Sequence, residues 1–242
     1  MYLVSLKTPT MRYLVASLLC VFTLSLTAQT IFDINEIASE SIELGTPSLW
    51  DGTIAWSDNQ SQGNIYFWDG TSTSIVASNC FYEISLNDGQ IAYQRGNGPN
   101  NGVNIYLWDG ISSYDISSEQ GVSPSLFNGK IAWKGNGYNG IYLWDGEDNV
   151  QISEFGSSPS LYEGQIAFVN SNELYFWDGT SSMLISDSLL IQWGDPSLYN
   201  NEIAFEAHDG NDFEIFLWNG LEIIQITNND FDDKNPSLYD GQ

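Results

Sequence analysis

Positive charge is scarce in this sequence: six Lys and Arg stand against 31 Asp and Glu, a formal net charge of −25 over 242 residues. Nucleic-acid binding draws its affinity from cations that neutralise phosphates and release counterions, so that class is excluded. An anionic membrane surface is an equally poor partner. Histidine occurs once and cysteine twice, too few for the multi-His or multi-Cys ligand set of a conventional zinc site. Walker and dinucleotide motifs are missing, and His208, the single imidazole, sits in a polar loop with no nucleophile signature beside it. The expectation is a non-enzymatic protein with no catalytic residues. Helical periodicity of useful length is missing after residue 28. Charged residues make up only 15% of the chain while 42% are apolar and 14% aromatic, which excludes an acidic disordered chain and leaves a globular one with a sizeable core.

The long apolar run is confined to Tyr13–Leu26, preceded by Met11-Arg12 and followed by the small-residue end Leu26-Thr27-Ala28. This reads as a secretory signal peptide over residues 1–28, with the start at Met11 and the product beginning at Gln29. Such a run spans about 21 Å as a helix, short of the ~30 Å hydrocarbon core, which argues against a membrane anchor. Cys20 follows the bulky Leu19, unlike a lipoprotein signal. Residues 29–242 then keep Cys80 alone, so no internal disulfide forms and packing must supply the stability. The expected location is exported: periplasmic, cell-surface or extracellular.

What the chain has in quantity is repetition. A segment P-S-L-aromatic-x-G-x-I-A-aromatic begins at Pro47, returns without its proline at Ile84, and recurs at Pro124, Pro159, Pro196 and Pro236. Its serines, Ser48, Ser85, Ser125, Ser160, Ser197 and Ser237, are 37, 40, 35, 37 and 40 residues apart. Within each complete repeat a second block follows: IYFWDG from Ile65, IYLWDG from Ile105 and Ile141, LYFWDG from Leu174 and IFLWNG from Ile215. A weaker third block ends the unit, as in Val150-Gln151-Ile152-Ser153. Asx-Gly pairs between apolar runs are the strongest short hairpin signal, and the expectation is one tight type I′ turn between the first and second strands and another between the third and fourth. Four antiparallel strands in 35 to 40 residues describe one blade of a β-propeller. The strands are apolar on both faces, as in Ile65-Tyr66-Phe67-Trp68, so each sheet must be covered on both sides. Ala55, Ala92, Ala132, Ala167 and Ala204 share one position, where a small side chain lets a neighbouring blade approach.

This succession of P-S-L-x-x-G-x-I-A-aromatic, I-Y-x-W-D-G and Q-I-S or Q-I-T resembles the repeat of TolB-type, WD40-like propellers and related secreted bacterial or archaeal surface propellers. The resemblance runs from about Ile31 onwards. It departs from the family in the first turn, where TolB-like repeats have S-P-D-G and this chain has a bulky residue, as in Leu49-Trp50-Asp51-Gly52. The resemblance implies a protein-binding or surface-associated module; the peptidoglycan-associated partner of TolB is not carried over.

The expected architecture is all-β, five complete repeats plus one split or truncated blade in a six-blade design over residues 29–242. Thr30–Asn35 reads as the fourth strand of that last blade and Pro236–Gln242 as its first. About 20 to 25 further residues would complete it by comparison with the other repeats. A five-bladed ring with a loose C-terminal tail is the rival.

Trp68, Trp108, Trp144, Trp177 and Trp218 recur at one position. A ring of sugar-stacking aromatics is one reading. Core packing is the other and is preferred, because five exposed indoles would leave on the order of 1,000 Å² of apolar surface. Constant turns belong on one rim and variable loops on the other, where local function is expected. There Arg95, Lys134, Tyr138, Trp193 and His208 are the candidate ligand-binding residues. His208–Asp212 and Asn228–Asp233 cluster hard oxygen donors without EF-hand spacing; Asx-rich turns with no cofactor are the preferred reading, and Ca²⁺ at Asp209, Asp212, Asp230, Asp232 and Asp233 is the alternative. The leading functional reading is an exported recognition or scaffold module binding a protein or envelope component. The alternatives are a lectin-like glycan binder and the accessory propeller of a larger secreted enzyme or sorted surface protein.

Overall fold

A computed structural model describes residues 45–58, 63–96, 102–117, 120–136, 140–186, 189–191 and 194–239. The expected signal peptide and the strand expected at Thr30–Asn35 lie outside them. Among the described residues every regular element is a strand, and no helix is long and apolar enough to cross a membrane.

Among the described residues nineteen strands form five four-stranded blades. Blade 1 comprises β1 (Ser48–Trp50), β2 (Thr53–Ser57), β3 (Gly63–Trp68) and the first half of β4 (Thr73–Asn87). Blade 2 takes the second half of β4 with β5 (Gln90–Gly96), β6 (Val103–Trp108) and β7 (Ser113–Asp115). Blade 3 is β8 (Gly121–Phe127), β9 (Lys130–Gly135), β10 (Ile141–Trp144) and β11 (Asn149–Ser153). Blade 4 is β12 (Ser157–Tyr162), β13 (Gln165–Asn170), β14 (Glu173–Trp177) and β15 (Ser182–Leu184). Blade 5 is β16 (Ser197–Tyr199), β17 (Glu202–His208), β18 (Phe213–Trp218) and β19 (Ile223–Gln225). All neighbours within a blade pair antiparallel in chain order. The linker between blades 1 and 2 is itself extended, so β4 serves both and the two blades share one seven-stranded sheet. The left-handed Asn79 and the register shift between Cys80 and Ile84 mark where it turns from one to the other.

The repeated residues meet as the register dictates. The aromatic after each repeated Ala lies directly opposite the aromatic of the I-Y block, and the rings stack: Trp56 on Tyr66, Tyr93 on Tyr106, Trp133 on Tyr142, Phe168 on Tyr175 and Phe205 on Phe216, at 5.5–5.8 Å between centroids. The repeated Ala points to the other face of the sheet. Four of the core clusters are interfaces between consecutive blades: Ala92 and Leu107 of blade 2, for example, pack against Leu126, Ile131 and Trp133 of blade 3. The five repeated tryptophans pack on these clusters, Trp108, Trp144, Trp177 and Trp218 between blades and Trp68 against Ile54 and Trp56. They form blade packing and no exposed ring.

The repeated serine is an interblade clamp. Its Oγ accepts the backbone N–H of the Leu one repeat later: Leu86 to Ser48, Leu126 to Ser85, Leu161 to Ser125, Leu198 to Ser160 and Leu238 to Ser197, all at 2.9–3.0 Å. The last clamp, the left-handed Asn235 before Pro236 and the 5.3 Å contact of Tyr239 with Tyr199 dock residues 235–239 on blade 5 as a first strand docks elsewhere. Ser123 before Pro124 and Ser158 before Pro159 are left-handed too, each at a bulge where the proline's missing N–H interrupts no ladder bond.

The two kinds of turn differ, which corrects the expectation of type I′ at both. Between first and second strands both central residues have positive φ, as at Asp51-Gly52, Asp88-Gly89, Asn128-Gly129, Glu163-Gly164 and Asn200-Asn201. Between third and fourth strands only the glycine does. There the Asx side chain organises a four-residue loop: Asp69 Oδ1 accepts the N–H groups of Thr71 and Ser72, both at 2.8 Å. Asp109, Asp145, Asp178 and Asn219 repeat the arrangement.

Candidate functional site

Strand order in an antiparallel blade places first-to-second and third-to-fourth turns on one rim, and second-to-third loops with the interblade linkers on the other. On the turn rim the repeated carboxylates are spent on the backbone. Thr71 and Ser72 hold Asp69 down at about 2, and Ser181 and Thr180 do the same for Asp178. The loop rim differs from blade to blade, so it is where a specific site has room to arise.

Of the residues singled out by sequence, Arg95, Lys134 and His208 lie in separate places on this rim. Arg95, at the end of β5 in blade 2, lays its guanidinium 5.4 Å from the centroid of the Tyr106 ring. Lys134 lies half-buried in β9 of blade 3, between Val122 and Ile141. Tyr138 and Trp193 lie outside the described residues. His208 ends β17 in blade 5; its Nδ1 accepts the N–H of Gly210 at 3.0 Å, and its ring stands edge-on to Phe213. This geometry gives His208 the work of capping a turn.

Blade 5 gathers the acids. The β17–β18 loop and the segment after β19 meet: Asp233 N–H donates to the Phe213 carbonyl at 2.7 Å, and Asp232 Oδ1 accepts the Phe213 N–H at 3.2 Å. Between them carboxylate oxygens of Asp209, Asp212 and Glu214 all lie within 4.8 Å of one another. Glu214 is fully buried and accepts from Thr227 Oγ1 and, at 2.6 Å, from the Asn229 N–H. Asp209 is exposed and accepts from Asn211 N–H at 2.8 Å and Gln225 Nε2 at 3.1 Å. Both Asp212 oxygens are buried without a hydrogen-bond partner of regular geometry, though the Asn211 side chain lies near enough to favour the charged form. Burial first, then the Glu214 and Asp209 charges, push the Asp212 carboxyl above its ordinary range. Asp232 is drawn down by the Lys234 ammonium 2.9 Å away. Asp233 accepts from Asn229 Nδ2 at 2.6 Å, and Asp230 is exposed in the same segment. Of the acids of the calcium alternative, the structure brings Asp209 and Asp212 within reach of one point. It adds Glu214, which reasoning from loop composition missed because it lies inside a strand.

The rim also exposes apolar side chains. Three consecutive linkers present one each: Phe155 after β11, Leu190 after β15 and Phe231 after β19, at 54%, 65% and 77% exposure.

No protein-family model matches the chain, and no curated protein matches it in sequence. Solved structures do. The β-propeller domain of the Trilobed protease from Pyrococcus furiosus, which has an open velcro topology, is similar with a TM-score of 0.60 and 14% identity over 83% of this chain and 72% of that one. TolB from Acinetobacter baumannii is similar with a TM-score of 0.59 and 13% identity over 85% of this chain and 59% of that one. An acylaminoacyl peptidase from Pyrococcus horikoshii gives 0.58 and 14% over 83% of this chain and 40% of that one. The chain thus spans well under two thirds of the latter two proteins. Repeats, blade topology and these likenesses agree, and the chain has the all-β propeller fold that TolB and the propeller domain of the Trilobed protease also have.

Proposed function

We propose that this propeller is an exported, non-enzymatic recognition module that binds a protein or cell-envelope component through its loop rim. The observation that carries the reading is that Phe155, Leu190 and Phe231 are exposed on three consecutive linkers that differ from blade to blade, whereas the exposed Ile111 and Leu221 of the turn rim sit in loops of one repeated form. Large apolar side chains exposed on neighbouring linkers, bordered by acids, have the make-up of a protein-binding patch. The turn rim supports it by contrast, since its repeated carboxylates are already engaged by their own loops. The lectin-like alternative rested on the ring of tryptophans, which instead pack the blades. A second reading, the scaffold of a larger secreted enzyme, draws support from the likeness to the propeller domain of a protease.

A photo-crosslinking residue placed at Phe155, Leu190 or Phe231 is compared with one at Leu221, which is 93% exposed on the turn rim. Crosslinks to one discrete envelope component from the loop rim, and none from Leu221, are the expected result. Equal labelling from both rims would refute a dedicated binding face. Crosslinks confined to an attached catalytic domain would favour the scaffold reading.

A further inference from the structure

We propose that Asp209, Asp212 and Glu214, where the β17–β18 loop meets the segment after β19, form a calcium site. The inference stands apart from the recognition reading and needs no partner protein.

Two features carry it. Oxygens on opposite sides of a calcium ion are roughly 4.6–5.2 Å apart, twice the usual Ca–O distance. Carboxylate oxygens of all three residues lie within 4.8 Å of one another, so one ion can touch all three. The second feature is Asp212. Both of its oxygens are buried and have no hydrogen-bond partner of regular geometry, a costly arrangement for an ionised group unless a cation meets it. Glu214 is fully buried on the same spot, with its carboxylate fixed by Thr227 and the Asn229 backbone. The cation at hand does not fill this role: Lys234 pairs with Asp232 and lies 4.8 Å from the centroid of the Phe213 ring.

The donor set selects the ion. All three ligands are hard carboxylate oxygens, and the neighbouring His208 has its Nδ1 engaged by Gly210, so the site lacks the nitrogen and sulfur donors that zinc and copper prefer. Calcium tolerates the irregular coordination that one loop and the strand after it provide, with water completing the shell, whereas magnesium demands a near-ideal octahedron. Bound there, the ion would brace the β17–β18 loop against Glu214, whose carboxylate also receives the Asn229 N–H.

The full chain, stripped of metal, is titrated calorimetrically with CaCl₂ and separately with MgCl₂ at about 0.1 M NaCl, and its Tm is measured in calcium and in EGTA. One calcium ion per chain is expected, with Kd in the range of about 10⁻⁴ to 10⁻³ M typical of extracellular modules, together with a higher Tm in calcium. Asp212→Asn and Glu214→Gln are expected to weaken binding at least about tenfold and to remove the Tm difference. Asp51→Asn on the turn rim should change neither, and circular dichroism confirms that each variant is folded. Should Glu214→Gln fail to fold, the wild-type titration and Asp212→Asn decide alone. No binding by the wild type up to about 10 mM calcium, wild-type affinity in Asp212→Asn, or an equal response to magnesium would each overturn the assignment.

Discussion

Replacing Ser125 by Ala removes one hydroxyl that joins two blades. Ser125 Oγ accepts the Leu161 N–H at 2.9 Å, and Leu161 is buried with 5% of its surface exposed. A hydrogen bond of this kind contributes about 0.5–1.5 kcal/mol net, and a buried N–H left without an acceptor costs about 1–3 kcal/mol. The site is partly buried and the rest of the interface stays packed, so a loss of about 1–2 kcal/mol is expected. For a domain of this size each kcal/mol moves Tm by roughly 2–4 °C, which puts the shift at about 2–8 °C. Urea unfolding followed by tryptophan fluorescence gives the free energy, and thermal circular dichroism gives Tm. Ser85→Ala and Ser160→Ala act at different interfaces, their oxygens accepting from Leu126 and Leu198, so the double variant should lose nearly the sum. If the single variants each lose less than about 0.3 kcal/mol, the clamp is not what this repeated serine contributes to stability.

Two further predictions follow from individual titrating groups. Burial pushes the Cys80 thiol up to about 12, against a smaller opposing pull from Arg95, so in a Cys20→Ser background the folded protein should resist DTNB at pH 8 and react on addition of urea; prompt reaction of the folded chain would contradict the buried placement. Asp69 and Asp178 are held at about 2 by the donors of their own loops, Thr71 and Ser72 in one and Ser181 and Thr180 in the other. Because the folded value is depressed, the stabilisation these caps give is complete above the ordinary Asp value near 3.9 and is lost as pH falls towards about 2. Carboxyl ¹³C titrations with midpoints near 2 are expected for both, and midpoints near 3.9 would show that the loops do not form as described.

The propeller was legible because each repeated residue answers to a neighbour one repeat away. Ala132 is small because blade 4 packs on it, and Trp133 is aromatic because Tyr142 stands opposite. The difference between the turns was less legible, since Asp-Gly opens both. What separates them comes after the glycine. At Asp51-Gly52 the chain enters β2 at once, whereas at Asp69-Gly70 two polar residues intervene and turn their N–H groups back to the carboxylate. Sequence pointed to the loop rim without fixing which of its residues meet. Arg95 and Lys134 belong to blades 2 and 3, whereas the acids that converge are in blade 5. Loop composition pointed to Asp209 and Asp212, but it could not show that β18 delivers a third carboxylate between them.

The signal for Glu214 was nevertheless present in the repeat. The position before the I-Y block is Asn64 in blade 1, Asn104 in blade 2, Glu173 in blade 4 and Glu214 in blade 5. In blades 1, 2 and 5 it ties the loop-rim end of the third strand to nearby chain, and in blade 4 its partner lies two residues along the same strand. Asn64 donates to Asp58 and accepts from Ser78, Asn104 donates to Asp115, Glu173 accepts from Tyr175, and Glu214 accepts from Thr227 and Asn229. A polar residue at this place is therefore part of how a blade is held at the loop rim. What sets blade 5 apart is that the tie is itself a carboxylate and that Asp209 and Asp212 bring two more charges against it. A position that is polar in four blades has become, in one of them, the floor of a charged site. The cost of that crowding falls on Asp212, whose carboxylate is the group left without a partner of regular geometry.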